Sequence, residues 1–207
     1  MIWLYRAPYS TNVERVVLAL AHKGLTDQVE SIVISYDDRT EVEEISGQGL
    51  VPVIDDEGTI VIDSARILRY LDERYPEPAI FPADPARRAE MDVFIEWFNE
   101  VWKGPPNTIE FELSSEEPDQ DVIASEGARM QESLALFERM LQGRDFLMGD
   151  EVSAADFVAF PFLKYASLRD PDDDELFHRI LDVHQQPGDD HPRLAAWVDR
   201  INRLPRA

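Results

Sequence analysis

Residues 49–64, GLVPVIDDEGTIVIDS, constrain the fold more than any other stretch of this 207-residue chain. Two apolar runs, VPVI and TIVI, are joined by Asp-Asp-Glu-Gly, a short glycine-bearing connection that suits a β-hairpin. Proline has no amide to donate to a sheet, so Pro52 belongs at the first residue of its strand. In the cis form open to X–Pro bonds, the Val51-Pro52 peptide would leave the backbone of Val51 to pair with something outside the sheet. Asp63-Ser64 then opens a helix. Its first amides are unpaired and carry partial positive charge, so this start suits a carboxylate ligand as well as a side-chain cap. The two features together suit an extended peptide.

Around this hairpin the first 75 residues alternate short apolar runs with helical patterns: IWLY, a helix from about Asn12 to Lys23 ended by Gly24, VESIVIS, the hairpin, and a helix through Tyr70. IWLY and VESIVIS need a helical crossover and so pair in parallel, whereas the hairpin strands are antiparallel. The expectation is a small α/β domain with a mixed sheet. Val13, Val16, Val17, Leu20 and Ala21 form one apolar helical stripe, and Ile67, Leu68 and Leu71 another.

Tyr75 to Pro85, YPEPAIFPADP, packs four prolines into eleven residues and reads as a linker. Beyond it helical periodicity dominates: Met91, Phe94, Ile95, Phe98 and Trp102; then Met130, Leu134, Phe137 and Leu141; then Phe157, Phe160, Leu163 and Tyr165. Gly104-Pro105-Pro106 breaks or bends the first of these helices. The predicted division is an α/β domain over 1–75, a linker over 76–86 and an all-α domain over 87–207. Ser153 and Asp156, three apart before an apolar run, have capping-box spacing and predict a structural helix start with no part in chemistry.

Composition removes several classes of function. The 42 acidic and 20 basic residues give a net charge of −22, a field that repels phosphate backbones and anionic lipid, so neither nucleic acid nor a membrane is expected as a partner. An anionic ligand needs a local basic pocket, for which Arg6, Arg15, Arg39 and Arg66 are the early candidates. With no cysteine, disulfides, thiolate metal ligation and redox work by the protein's own sulfur are excluded, so any thiol chemistry must come from a ligand. No run approaches the roughly 18 apolar residues of a membrane span, and MIWLYRAPYS lacks a basic lead before a long apolar stretch; the expected location is cytoplasmic. His22, His178, His184 and His191 are scattered without metal-ligand spacing, and no metal is expected.

The turn before the first helix reads Ala7-Pro8-Tyr9-Ser10-Thr11-Asn12-Val13-Glu14-Arg15. Thr11 and Glu14 have capping-box spacing, which makes Thr11 the expected N-cap and leaves the Ser10 hydroxyl outside the helix. A hydroxyl there can donate to a bound thiolate whose charge the helix dipole also favours. A thiol with a pKa near 8.5 is mostly protonated at neutral pH, and lowering it by roughly two units makes it mostly thiolate. The residues alone leave both roles open for Ser10, the cap itself or a hydroxyl aimed at a ligand.

Taken in order, Ser10-Thr11-Asn12-Val13-Glu14-Arg15 before ALAHKGL, Val51-Pro52, Asp63-Ser64 before a helix, the linker ending FPADP, and FLMGDEVSAADF resemble the cytosolic glutathione transferase superfamily from the first strand to the last helix. The resemblance implies a thioredoxin-like N-terminal α/β domain, an all-helical C-terminal domain and a homodimer. It implies that the backbone of Val51, beside the cis Pro52, pairs with the cysteinyl part of glutathione or another low-molecular-weight thiol. Asp63 and Ser64 would hold the γ-glutamyl carboxylate. The activating position falls on Ser10, as in the serine-bearing classes; Tyr5 and Tyr9 are the alternatives. Where relatives carry Asn-Pro and a basic residue before the Val-Pro turn, this chain has Ser46-Gly47-Gln48-Gly49-Leu50, and Arg39 or Gln48 would have to serve the glycyl carboxylate. The acceptor, a hydrophobic electrophile, would lie across the interdomain cleft near Trp97, Asn99, Trp102 and Lys103. Implied alternatives are a thiol-dependent isomerase or ether-cleaving lyase, or a non-catalytic binding protein.

Overall fold

A computed structural model describes every residue except Tyr36 and Arg169. Strands β1 (Ile2–Arg6), β2 (Val29–Val33), β3 (Val53–Asp56) and β4 (Thr59–Ile62) form one sheet in the order β2-β1-β3-β4. β1 and β2 are parallel, joined through helix α1 (Thr11–His22); β1–β3 and β3–β4 are antiparallel. Helix α2 (Thr40–Ser46) precedes the hairpin and α3 (Ser64–Arg74) follows it. The mixed sheet expected from the sequence is present, although β3 opens at Val53 and Pro52 sits just before it.

The sheet's two faces are set by the period of two along its strands. Leu4 pairs with Ile54, and both are fully buried, as are the stripes of α1 and α3, which pack on one another. The next pair along, Tyr5 and Val53, joins Ile34 and Val42 in a second cluster with Ile32, Ile45, Val51 and Ile62 around it. One charge pair secures the far end of α1. Lys23 Nζ is buried and donates to Asp72 Oδ1 at 2.9 Å, to the Tyr75 carbonyl at 2.8 Å and to the Pro78 carbonyl at 2.9 Å. Asp72 Oδ1 also accepts the Ile80 amide at 2.8 Å. The proline-rich segment is thus tied to α1 and α3 by its own carbonyls and amide, which is how an extended chain without a ladder satisfies its backbone.

The chain divides into two compact units, Met1–Pro85 with Leu204–Ala207, and Ala86–Arg203. In the second, α4 (Pro85–Trp97) runs into a π-helical turn at Phe98–Trp102, and α5 (Gly104–Leu113) starts afresh with Pro105 and Pro106 in its first turn. Prolines cost nothing there, because the first amides of a helix have no partner within it. Next come α6 (Gln120–Met140), α7 (Ala154–Leu163), α8 (Leu176–His184) and α9 (Pro192–Asn202). The π turn stacks Phe98 on Trp102 with ring centres 4.4 Å apart, and Phe137 and Phe162 meet this pair edge-on. Phe94, Phe98 and Trp102 are therefore core, while Trp97 is half-buried beside them.

Asp156 is the polar hub of this unit. Its Oδ2 accepts from the backbone amide and hydroxyl of Ser153, and its Oδ1 from the Leu147 amide and Trp197 Nε1, each at 2.9 Å. The capping box read from the sequence is present, and the same carboxylate also joins α9 to the loop before α7. Burial raises its pKa against the pull of these four donors. Gly127 of α6 lies against His184 of α8, where an added Cβ would fall 2.4 Å from Nδ1.

Asp156→Ala leaves three N–H donors without their acceptor, and each orphaned buried group costs about 1–3 kcal/mol. The expected loss in a urea titration is therefore about 3 kcal/mol or more, above the roughly 1 kcal/mol of a lone cap; a loss below that lower figure would contradict the hub. Lys23→Ala strands the Asp72 carboxylate in the interior and is expected to cost about 3–5 kcal/mol by the same measurement.

Candidate thiol-binding site

The register of the sheet decides which loops can meet. Val53 pairs with Tyr5 on one side and Ile62 on the other. Because β3 is antiparallel to both neighbours, the carboxyl ends of β1 and β4 and the amino end of β3 lie at one end of the sheet. At that end β1 leads towards Ser10, β3 is entered from Val51-Pro52, and β4 runs out into Asp63 and Ser64.

Ser10 has extended dihedrals, φ −65° and ψ 113°, and its Oγ accepts the Val13 amide at 3.3 Å. It is the N-cap of α1. The expectation of Thr11 at this position is corrected: Thr11 is the first helical residue and is buried. The cause lies one residue earlier, where Tyr9 takes a left-handed φ of 60° and turns the chain so that Ser10 assumes the cap conformation. Glu14, the supposed second half of a Thr11 box, pairs instead with Arg206 Nη2 at 3.0 Å. Capping uses a lone pair on the Ser10 oxygen and leaves its proton, so the two roles left open for this hydroxyl are compatible.

Val51-Pro52 is cis. Val51 is half-buried and packs on the Tyr5 cluster. Asp63, itself at φ 69°, caps α3 by accepting the Arg66 amide at 2.9 Å. Ser64 is buried and its Oγ accepts from Arg15 Nη1 at 3.1 Å, which bridges the first turns of α1 and α3. Arg15 is 1% exposed. Burial pushes its pKa down to about 9, opposed by the charge of Asp63, so the guanidinium remains cationic at neutral pH. A carboxylate brought to the start of α3 would meet unpaired helix amides, a serine and a buried cation.

Arg39 and Gln48 are on the segment that leads into Val51. Arg39 Nη1 donates to the Gly49 carbonyl at 2.6 Å. The Gln48 side chain accepts the Leu50 amide at 2.6 Å and donates to the Leu50 carbonyl at 2.9 Å and Ser46 Oγ at 3.1 Å. Both side chains brace the loop from inside. Tyr5 is in the core, and burial, with Glu41 and Asp55 adding, raises its phenol pKa. Tyr9 is exposed at the turn. In the other unit, Lys103 Nζ stands 4.9 Å from the Phe162 ring centre, and Trp102 Nε1 donates to Ser133 Oγ at 3.0 Å. Among the described residues no cluster of three or more His, Asp or Glu is arranged to hold a metal ion, and no helix is long and apolar enough to cross a membrane.

Comparison with known proteins identifies the two domains. Residues 4–79 match the glutathione S-transferase N-terminal domain and residues 120–200 the glutathione S-transferase C-terminal domain. Mouse glutathione S-transferase omega-1 is 30% identical over 164 residues, 79% of this chain and 66% of that protein. Escherichia coli GstB is 30% identical over 172 residues, 79% of this chain and 82% of GstB. Protein LigF of Sphingobium sp. SYK-6 is 26% identical over 239 residues, 98% of this chain and 90% of LigF. The crystal structure of LigF, described as a β-etherase, superposes with a TM-score of 0.78 at 23% identity, covering 99% of this chain and 96% of that one. The chain belongs to the glutathione S-transferase family, with a thioredoxin-like N-terminal domain and a helical C-terminal domain.

If Gln48 is the brace, Gln48→Ala frees the Leu50 amide, and loss of a bond worth about 1.4 kcal/mol speeds its hydrogen exchange roughly tenfold. Unchanged exchange at Leu50 would show that the loop holds itself.

Proposed function

We infer that this protein is an enzyme that binds glutathione or a closely related low-molecular-weight thiol and adds it to a hydrophobic electrophile. The observation that carries the reading is the convergence of the Ser10 cap, the Val51-Pro52 backbone and the Arg15–Ser64–Asp63 group at one end of the sheet. Val51 pairs through its backbone with the middle of the thiol peptide. Ser64 and the first amides of α3 take its α-carboxylate, with Arg15 supplying charge beneath, and Asp63 takes its ammonium. Gln48, whose side-chain amide nitrogen already donates twice within its loop, reaches the far carboxylate only by giving up a bond to the loop; Arg39 donates to the loop through Nη1 and is the better placed of the two by number of donors.

Chemistry follows from the start of α1. Donation from Ser10 and the positive end of the helix stabilise the thiolate over the thiol, and the thiol proton passes to water. The sulfur lone pair then forms the bond to carbon. In a substitution the leaving group departs with its bonding pair; in an addition the neighbouring carbon takes up a proton. Holding the thiol still contributes as much as activating it, because orientation converts a bimolecular encounter into a step within one complex. Family membership supports a cytoplasmic homodimer as the working form. Extension of the LigF match over 98% of this chain favours thiol-dependent cleavage of an ether as the second reading, in which the displaced group is an alkoxide or phenoxide.

The test separates the cap from the chemistry. Ser10→Ala removes both, and is expected to lower kcat/KM for glutathione with an activated aryl halide by about 100-fold or more, at a stability cost of about 1 kcal/mol. Ser10→Asp keeps a cap and removes the donor, so it is expected to melt like wild type while losing the same activity. Wild-type turnover by the aspartate variant would dismiss the hydroxyl; absence of thiol binding by calorimetry across glutathione, cysteine and γ-glutamylcysteine would dismiss the enzyme reading.

A further inference from the structure

The segment Leu204–Ala207 belongs with the α/β unit, although nearly the whole helical unit separates it in sequence from α1. Its contacts with α1 include a backbone bond and an ion pair. The Ala207 amide donates to the Val17 carbonyl at 3.2 Å, and Arg206 Nη2 meets Glu14 Oε1 at 3.0 Å. Arg206 is in turn fixed by donation from its Nη1 to the Leu204 carbonyl at 2.7 Å. The pair is well shielded, with the Glu14 side chain 16% exposed and that of Arg206 29%.

Glu14 lies one turn beyond Ser10, and its amide donates to the Ser10 carbonyl at 3.0 Å. An acidic residue in the first turn helps a helix by opposing the dipole, but it also subtracts from the positive potential that an anion at the N-terminus needs. In the reading above that anion is the thiolate. A lone Glu14 would oppose the chemistry at the cap.

We propose that Arg206 is a positioning residue that tunes the bound thiol: by neutralising Glu14 at the first turn of α1, it preserves the field that favours thiolate beside Ser10. The inference rests on the thiolate reading of Ser10. It assigns residues 204–207 to the working of the N-terminal domain, and it makes a prediction of opposite signs for the two partners. Removing the cation takes its positive charge from beside Glu14 and raises the pKa of the bound thiol. Removing the anion takes a negative charge from the first turn of α1 and lowers it. Removing both restores a value near wild type.

Tyr5, Arg6 and Tyr9 of β1 and the turn, Arg15 of α1, and Asp63 and Arg66 at the start of α3 are unchanged in every variant compared. The experiment is the pH dependence of kcat/KM, together with the ultraviolet thiolate absorbance of the glutathione complex, in wild type, Arg206→Gln, Glu14→Gln and the double variant. At a spacing of one to two helical turns in a partly screened medium, each single charge is expected to move the profile by about half a pH unit, alkaline for Arg206→Gln and acid for Glu14→Gln, or about threefold in thiolate fraction on the flank. Arg206→Lys should sit between wild type and Arg206→Gln. Equal shifts in one direction, or lowered rates without any shift in pH, would make the contact merely structural and overturn the inference. Failure of wild type to form a thiolate complex would overturn the thiolate reading itself, and is distinguishable because it appears without any substitution.

Discussion

The pairing of Val53 with Tyr5 and Ile62 is the constraint on which the N-terminal domain depends. Side chains alternate along a strand, so slipping β3 by one residue would turn Ile54 and Val53 to the wrong faces and bring Asp55 inward. The same slip would carry Val51-Pro52 away from the start of α1. A register chosen by apolar burial therefore also fixes the loop geometry at the sheet's end. Loops positioned by the sheet in this way lower the ordering cost of binding.

Buried ionic groups do the remaining work of alignment, each in company that satisfies it. Lys23 gathers a carboxylate and two carbonyls, Arg15 gathers Ser64 beside Asp63, and Asp156 gathers four donors. Such groups contribute little net stability against a well-packed apolar alternative, yet losing one partner is expensive. Their effect is directional. Arg15 can meet Ser64 only when α1 and α3 start at the same height, and Lys23 can meet Tyr75 and Pro78 only when the proline-rich segment follows one path. Asp56 plays a similar part at the other end of the hairpin, where Oδ2 accepts both Tyr70 and Tyr75 hydroxyls at 2.9 Å. Burial and that carboxylate push the Tyr75 phenol up to about 12, which keeps it a donor throughout the physiological range.

What was legible in the sequence was local. Alternation and helical stripes marked the strands and the cores of α1 and α3, a glycine marked the hairpin, and spacing marked the box at Ser153 and Asp156. The α1 cap was read one residue too late, because a tyrosine at a left-handed φ carries no compositional signal of the kind glycine or asparagine gives. Arg15 was visible as a basic residue, but its bond to Ser64, 49 positions away, depends on the packing of two helices. Arg206 and Glu14, 192 positions apart, had no signal at all. Contacts of that range follow from the assembled fold, and a single sequence offers only periodicity and short spacings.

The net charge of −22 gives these local cations their significance. A field of that sign lowers the local concentration of an anionic thiol and raises the pKa of any thiol near the surface, so both binding and activation start at a disadvantage. Salt screens the distant acidic surface with a Debye length of about 8 Å at physiological ionic strength, whereas a guanidinium buried as Arg15 is would act on the carboxylate of the proposed thiol through protein, where salt screens little. On the proposed reading, the balance at the site is decided by nearby groups: the starts of α1 and α3, Arg15, and the pairing of Glu14 with Arg206. An acidic surface and the proposed anion-accepting site can coexist in one molecule because the first acts through screened solvent and the second through a few ångströms of protein.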